Sequence, residues 1–145
     1  MKFFAALMTL LATTLLLNAA DGGSKVIYVD HDKVAGALAK GGPLASGPDF
    51  LVSGSHRDKA GQVEVHDKET DVIYVVDGSA TFVTGGTMIG GKNTKPGQSL
   101  GTDIKGGETH QLAKGDVIVV PAGMPHWFKE VPSSVSYYVV KVVKP

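Results

Sequence analysis

Polar and apolar residues alternate at period two over most of the chain beyond residue 50, the pattern of strands with one covered face. Strands are predicted at Phe50–His56, Gln62–His66, Asp71–Asp77, Ser79–Thr84, Thr109–Ala113, Asp116–Val120, Pro125–Lys129 and Val135–Val143. Ahead of them, Lys25–Asp30 (KVIYVD) reads as a first strand and Pro43–Pro48 as a linker. Asp32–Lys40 reads as a short helix, with an aspartate at its start and Gly41-Gly42 past its end. Many short strands punctuated by Gly and Pro predict an all-β sandwich or barrel.

Two stretches depart from this alternation. Residues 1–20, MKFFAALMTLLATTLLLNAA, set a lone Lys2 before a long apolar run that ends in small residues, the pattern of a secretory signal peptide. The alternative is a transmembrane anchor, but the run Phe3–Leu17 is broken by threonines and is short for a span. Cleavage after Ala20 predicts a secreted or periplasmic protein with no membrane contact after cleavage, and leaves residues 21–145 for one domain with one core. The second stretch, 85–107, holds eight glycines, Pro96 and three lysines, and reads as an insertion or irregular hairpin. Two roles stay open for it: a lid over the barrel mouth, or a surface excursion without one.

Charge and composition narrow the chemistry. Fourteen basic residues balance fourteen acidic ones, so the chain has no electrostatic footprint for nucleic acid or anionic lipid, and a small-molecule site is the better expectation. Cysteine is absent, which excludes disulfides and a thiol nucleophile. Neither a Gly-x-Ser-x-Gly elbow nor a phosphate-loop ending is present.

What remains are histidines and carboxylates placed by strand geometry. Residues two apart on a strand share a face, so Glu64 and His66 point one way and Val63 and Val65 the other. Asp71 follows a polar turn, and antiparallel pairing returns it close to His66. His126 is set in a rigid frame: Gly115, five residues, Pro121, one residue, Gly123, two residues, His126. Gly115-Asp116 turns the chain into the run Val117–Val120, and Pro121-Ala122-Gly123 turns it again so that His126 opens a strand. His110, two residues before Leu112, shares that residue's face and is a candidate ligand, general base or substrate contact; the ordinary alternative is a hydrogen-bonded core histidine.

The Gly115–His126 spacing resembles the second motif of the cupin superfamily, and Glu64-Val65-His66, four residues, Asp71, six residues, Gly78 resembles a degenerate form of its first. Two ligand positions are substituted: Glu64 stands where the family has histidine and Asp71 where it has glutamate. Glu130 replaces a frequent asparagine and Asp58 an expected glycine. The resemblance covers about residues 62–130. It implies a cupin double-stranded β-helix, the jelly-roll barrel, with metal ligands Glu64, His66, Asp71 and His126. Two imidazoles with one or two carboxylates suit a divalent ion such as Mn, Fe, Ni or Zn. The family's range leaves two readings open. One is a metal-dependent oxygenase, isomerase or lyase; the other is a non-catalytic small-molecule-binding or storage barrel without metal. The resemblance also implies a homodimer, in which the strand expected at Lys25–Asp30 adds to a partner's edge.

Overall fold

The computed structural model describes residues 25–145; the expected leader, residues 1–20, lies outside the described residues. Helix α1 (His31–Lys40) begins where the sequence places it, because the Asp30 side chain accepts a hydrogen bond from the Lys33 N–H at 3.0 Å. Twelve strands follow: β1 (Gly42–Ser46), β2 (Phe50–Arg57), β3 (Val63–His66), β4 (Glu69–Thr84), β5 (Thr87–Ile89), β6 (Lys92–Lys95), β7 (Gln98–Gly101), β8 (Asp103–Lys105), β9 (Glu108–Ala113), β10 (Val117–Val120), β11 (His126–Glu130) and β12 (Val135–Val143).

Ten of these strands form one antiparallel sheet that curls into the jelly-roll barrel, and β4 is the strand on which it turns. The first half of β4 pairs with β12 and β10, giving the layer β1-β2-β12-β4-β10. Its second half pairs with β9 and β11, giving the layer β9-β4-β11-β3-β7-β6. Between the halves lies Gly78 at φ 78°, where any Cβ would collide with the Ser134 carbonyl. The sequence reading of two strands, Asp71–Asp77 and Ser79–Thr84, is thereby corrected to one strand bent at a glycine.

Three further expectations change. Lys25–Asp30 joins no ladder, despite its strand-like pattern, and leads directly into α1. The stretch taken as linker contains β1, which tolerates Pro43 because it is an edge strand paired on one side only. The insertion is ordered by pairing its alternation did not announce: β7 lies against β3, β6 against β7, and β5 with β8 forms a separate two-stranded arm.

The core fills the space between the two layers. Ile73, Val75, Ala80, Phe82, Leu112, Val120, Phe128, Val135 and Tyr137 form one buried cluster. Phe82 meets the Phe128 ring edge-on at 4.6 Å, and Phe128 stacks on Tyr137 at 4.8 Å. Trp127, pointing the opposite way from Phe128, donates its indole N–H to the Gly61 carbonyl at 2.8 Å. Outside the barrel, α1 packs on β2 where Gly54 leaves room: a Cβ there would lie 2.8 Å from Ala37.

Candidate metal centre

Backbone pairing builds the site before any side chain does. His126 on β11 lies opposite Glu64 on β3. The turn before β11 is tied to the same strand, because the Gly123 N–H donates to the His66 carbonyl at 2.7 Å. Gly123 adopts φ 81° there, so the Pro121-Ala122-Gly123 turn fixes the point at which His126 enters the barrel. The two imidazole rings sit 5.2 Å apart between centroids, both side chains buried.

The polar atoms then converge. His66 Nε2 is 3.4 Å from Glu64 Oε2 and 3.7 Å from Asp71 Oδ2, and His126 Nε2 is also 3.7 Å from Asp71 Oδ2. Candidate ligand atoms of Glu64, His66 and His126 all lie within 4.8 Å of one another, and so do those of His66, Glu69 and Asp71. His126 Nδ1 is 3.1 Å from the Met124 carbonyl. A carbonyl only accepts, so Nδ1 carries the proton and Nε2 presents its lone pair to the carboxylates. His66 Nε2 is buried without a hydrogen-bond partner.

Burial and charge act on these groups in opposite senses. Burial alone would raise the Glu64 carboxyl, but the approach of the His66 imidazole at 3.4 Å and the positive charge of Arg57 outweigh it and hold the group below its ordinary 4.5. Burial pushes the His126 imidazole below its ordinary 6.5, against the Met124 carbonyl and the charges of Asp71 and Glu64, which raise it. The carboxylate stays charged and the imidazole neutral, the states in which each binds a divalent ion.

Two basic residues that the sequence reading left out complete the cavity. Lys141 donates to both Asp71 oxygens, at 2.8 and 3.0 Å, and lies 3.1 Å from Glu69 Oε2. Arg57 donates Nε–H to the Tyr137 hydroxyl at 3.0 Å, reaches Glu64 Oε1 at 3.5 Å and lies over the Phe128 ring. With Ser55, Gln62, Ile73 and Val139 they enclose about 190 Å³. Alternation along Val135–Val143 does place Lys141 on the face of Tyr137 and Val139; that shared parity is the signal a closer reading could have used.

His110 is not part of this constellation. It lies opposite Phe82 on β9, and its Nε2 is 2.9 Å from the Thr84 hydroxyl. It lines a separate cavity of about 500 Å³ with Ile118, Val120 and Met124. The insertion 85–107 contributes Gly85, Gly86 and Gly107 to the lining of this second cavity, and its β7 pairs with β3 opposite Glu64 and His66.

With the barrel and the paired histidines in place, comparison with known proteins agrees on the class. The family described as Cupin matches residues 58–145, and the chain belongs to that family. The Cnp3 cupin domain of Schizosaccharomyces pombe superposes with TM-score 0.52 at 14% identity, over 71% of this chain and 59% of that one. The protein BH2720 of Bacillus halodurans gives TM-score 0.51 at 13% identity, over 71% of this chain and 69% of that one. The protein SPY1581 of Streptococcus pyogenes gives 0.48 at 20% identity, over 71% and 72%. At these identities the first two support the fold alone. A search of curated proteins finds no match.

Proposed function

We propose that the chain is an exported cupin that holds a divalent metal ion through Glu64, His66, Asp71 and His126 and binds or transforms a small molecule beside it. The family supplies the small-molecule barrel, and one observation carries the metal: the buried His66 Nε2, without a hydrogen-bond partner, faces the carboxylates and the His126 Nε2. A buried imidazole nitrogen left unpaired costs about 1–3 kcal/mol, which a bound ion would recover. Mn, Fe, Ni and Zn all accept this donor set, and a divalent ion held there supplies Lewis-acid polarisation of a substrate oxygen.

The chain's own residues set the rest of the chemistry. Arg57 and Lys141 offer positive charge at the cavity wall, while Tyr137, Ser55 and Gln62 offer neutral hydrogen bonds. A cavity of about 190 Å³ takes a ligand smaller than the drug-sized molecules that need about 300 Å³ or more. Export rests on the leader pattern at 1–20, and intact-mass measurement of protein from the native host tests cleavage after Ala20. We extend the proposal to a homodimer, because Val26, Ile27 and Tyr28 stand exposed ahead of α1.

A second reading, the metal-free binding barrel, is favoured by one specific feature. Lys141 already neutralises Asp71 and Glu69, and Arg57 stands beside Glu64. Elemental analysis of protein purified from its native compartment separates the two. About one divalent ion per chain supports the metal reading. Absence of stoichiometric Mn, Fe, Ni, Co or Zn after refolding with each ion rejects it and leaves the binding barrel.

A further inference from the structure

The carboxylates around the metal centre each have a basic neighbour. Glu64 lies 3.5 Å from Arg57, and Glu69 and Asp71 lie 3.1 and 2.8 Å from Lys141. Glu108 differs from all three. It opens β9 opposite Thr84 and alternates with His110 and Leu112, so it shares their inward face. None of the ion pairs among the described residues includes it.

The cavity that Glu108 borders measures about 500 Å³, inside the range of about 300–1,000 Å³ that small-molecule pockets occupy. Its walls divide by chemistry. Ile118 and Val120 line it from β10, and Pro121 and Met124 from the turn that follows. Val119 and Met124, which also border it, are 55% and 36% exposed, so apolar surface leads from solvent into the cavity. The polar side chains are gathered on the β4–β9 wall: Thr84, His110 and Glu108. His110 Nε2 and the Thr84 hydroxyl share one hydrogen bond of 2.9 Å, which leaves the second ring nitrogen of His110 available to a ligand. No lysine or arginine lines the cavity, so its one formal charge is the Glu108 carboxylate.

We propose that this cavity is a second binding site, taking a small lipophilic amine. The apolar body packs against Ile118, Val120 and Met124, the ammonium group pairs with Glu108, and the His110–Thr84 pair offers neutral hydrogen bonds along the same wall. An acid of the same shape is disfavoured, because its carboxylate meets that of Glu108 and finds no cation on the lining. The site is separate from the metal centre. Fully buried Phe82 stands between them, and the two cavities share no lining residue. The assignment therefore goes beyond the metal reading and does not depend on an ion at His66 and His126.

The experiment uses the full-length chain, expressed with residues 1–20 and labelled at its Ile, Val and Met methyl groups. It is titrated by nuclear magnetic resonance with naphthylmethylamine and, in parallel, with naphthoate. The amine should shift the methyl signals of Ile118, Val120 and Met124 saturably, with a dissociation constant below about 1 mM. Signals of Ile73 and Val139, which line the smaller cavity, should stay in place. The amine should bind at least about fivefold tighter than the acid, because attraction to an exposed carboxylate replaces repulsion. Glu108→Gln should remove most of that preference and Glu108→Lys should reverse it. Circular dichroism of both variants should match the wild type, since residue 108 is exposed at the start of its strand. Absence of a saturable shift up to about 5 mM, or shifts confined to Ile73 and Val139, overturns the site. Equal affinity for amine and acid, or a preference that survives Glu108→Lys, overturns the amine as its ligand.

Discussion

His66 and His110 both belong to the interior of one barrel, on opposite sides of Phe82, and their surroundings give them different chemistry. The cavity beside His66 and His126 is small, about 190 Å³, and charged, with Arg57 and Lys141 set against Glu64 and Asp71. The cavity beside His110 is larger, about 500 Å³, and mostly apolar. His110 Nε2 has a hydroxyl at 2.9 Å, whereas His66 Nε2 has no hydrogen-bond partner and two carboxylates near 3.5 Å. An inward histidine is thus prepared for a cation by its neighbours rather than by its burial, because a carboxylate supplies charge and no proton while a hydroxyl supplies a complete hydrogen bond. Phe82 divides the two regions: fully buried, its ring lies 6.1 Å from that of His126 and its backbone lies opposite His110.

The strongest way to break this division is to remove the wall. Phe82→Ala should destabilise the protein by about 3–5 kcal/mol, read as a drop in the urea midpoint, because the cavity it leaves cannot collapse between paired strands. A cost under about 1 kcal/mol would mean that Phe82 does not separate packed regions.

Next in size is the contrast between the histidines themselves. His66→Ala and His126→Ala should each weaken binding of Mn or Zn by about 100-fold or more in calorimetric titration, with the fold retained, because each removes a neutral nitrogen donor. His110→Ala should leave the affinity within about threefold. Equal losses at all three positions would abolish the distinction. At 100 times its dissociation constant the ion should stabilise the wild type by about 2.7 kcal/mol, and the His126→Ala chain should lose most of that gain.

The smallest effect is the response of the metal-free protein to acid. His126 is lowered in the folded state, so the unfolded chain binds its proton first as pH falls, and stability declines from about 6.5 downward. Glu64 is also lowered, so its contribution is complete above about 4.5 and is lost as pH falls through its folded value. Both groups make acid destabilising, in two successive windows, and chemical unfolding at stepped pH reads them. His126→Gln should flatten the upper window alone; an unchanged profile would show that the imidazole is not held neutral.

Much of the barrel and its motif residues was legible in the chain. Alternation located β2, β3, β9, β10, β11 and β12 to within a residue or two, since strand parity is a nearest-neighbour property. The run from Gly115 to His126 was legible for the same reason, its turns being set by glycines and a proline at fixed offsets. Strand geometry and the family resemblance together pointed to Glu64, His66, Asp71 and His126, and the structure brings these four side chains close to one another. Arg57 and Lys141 were not anticipated, because their partners are matched across the barrel. Lys141 meets Asp71 70 positions away, and Arg57 meets Tyr137 80 positions away.

The sequence by itself therefore determined which residues share a face, where the chain turns, and that histidines and carboxylates are available on inward faces; each of these depends on backbone geometry over a few residues. Only the tertiary structure decided that β4 runs unbroken through Gly78, that polar β6 and β7 join the sheet, that Lys25–Asp30 does not, and that cations stand beside the carboxylates. Those outcomes depend on which backbone hydrogen bonds are left to be made once the barrel has closed, and on which charges meet when it does.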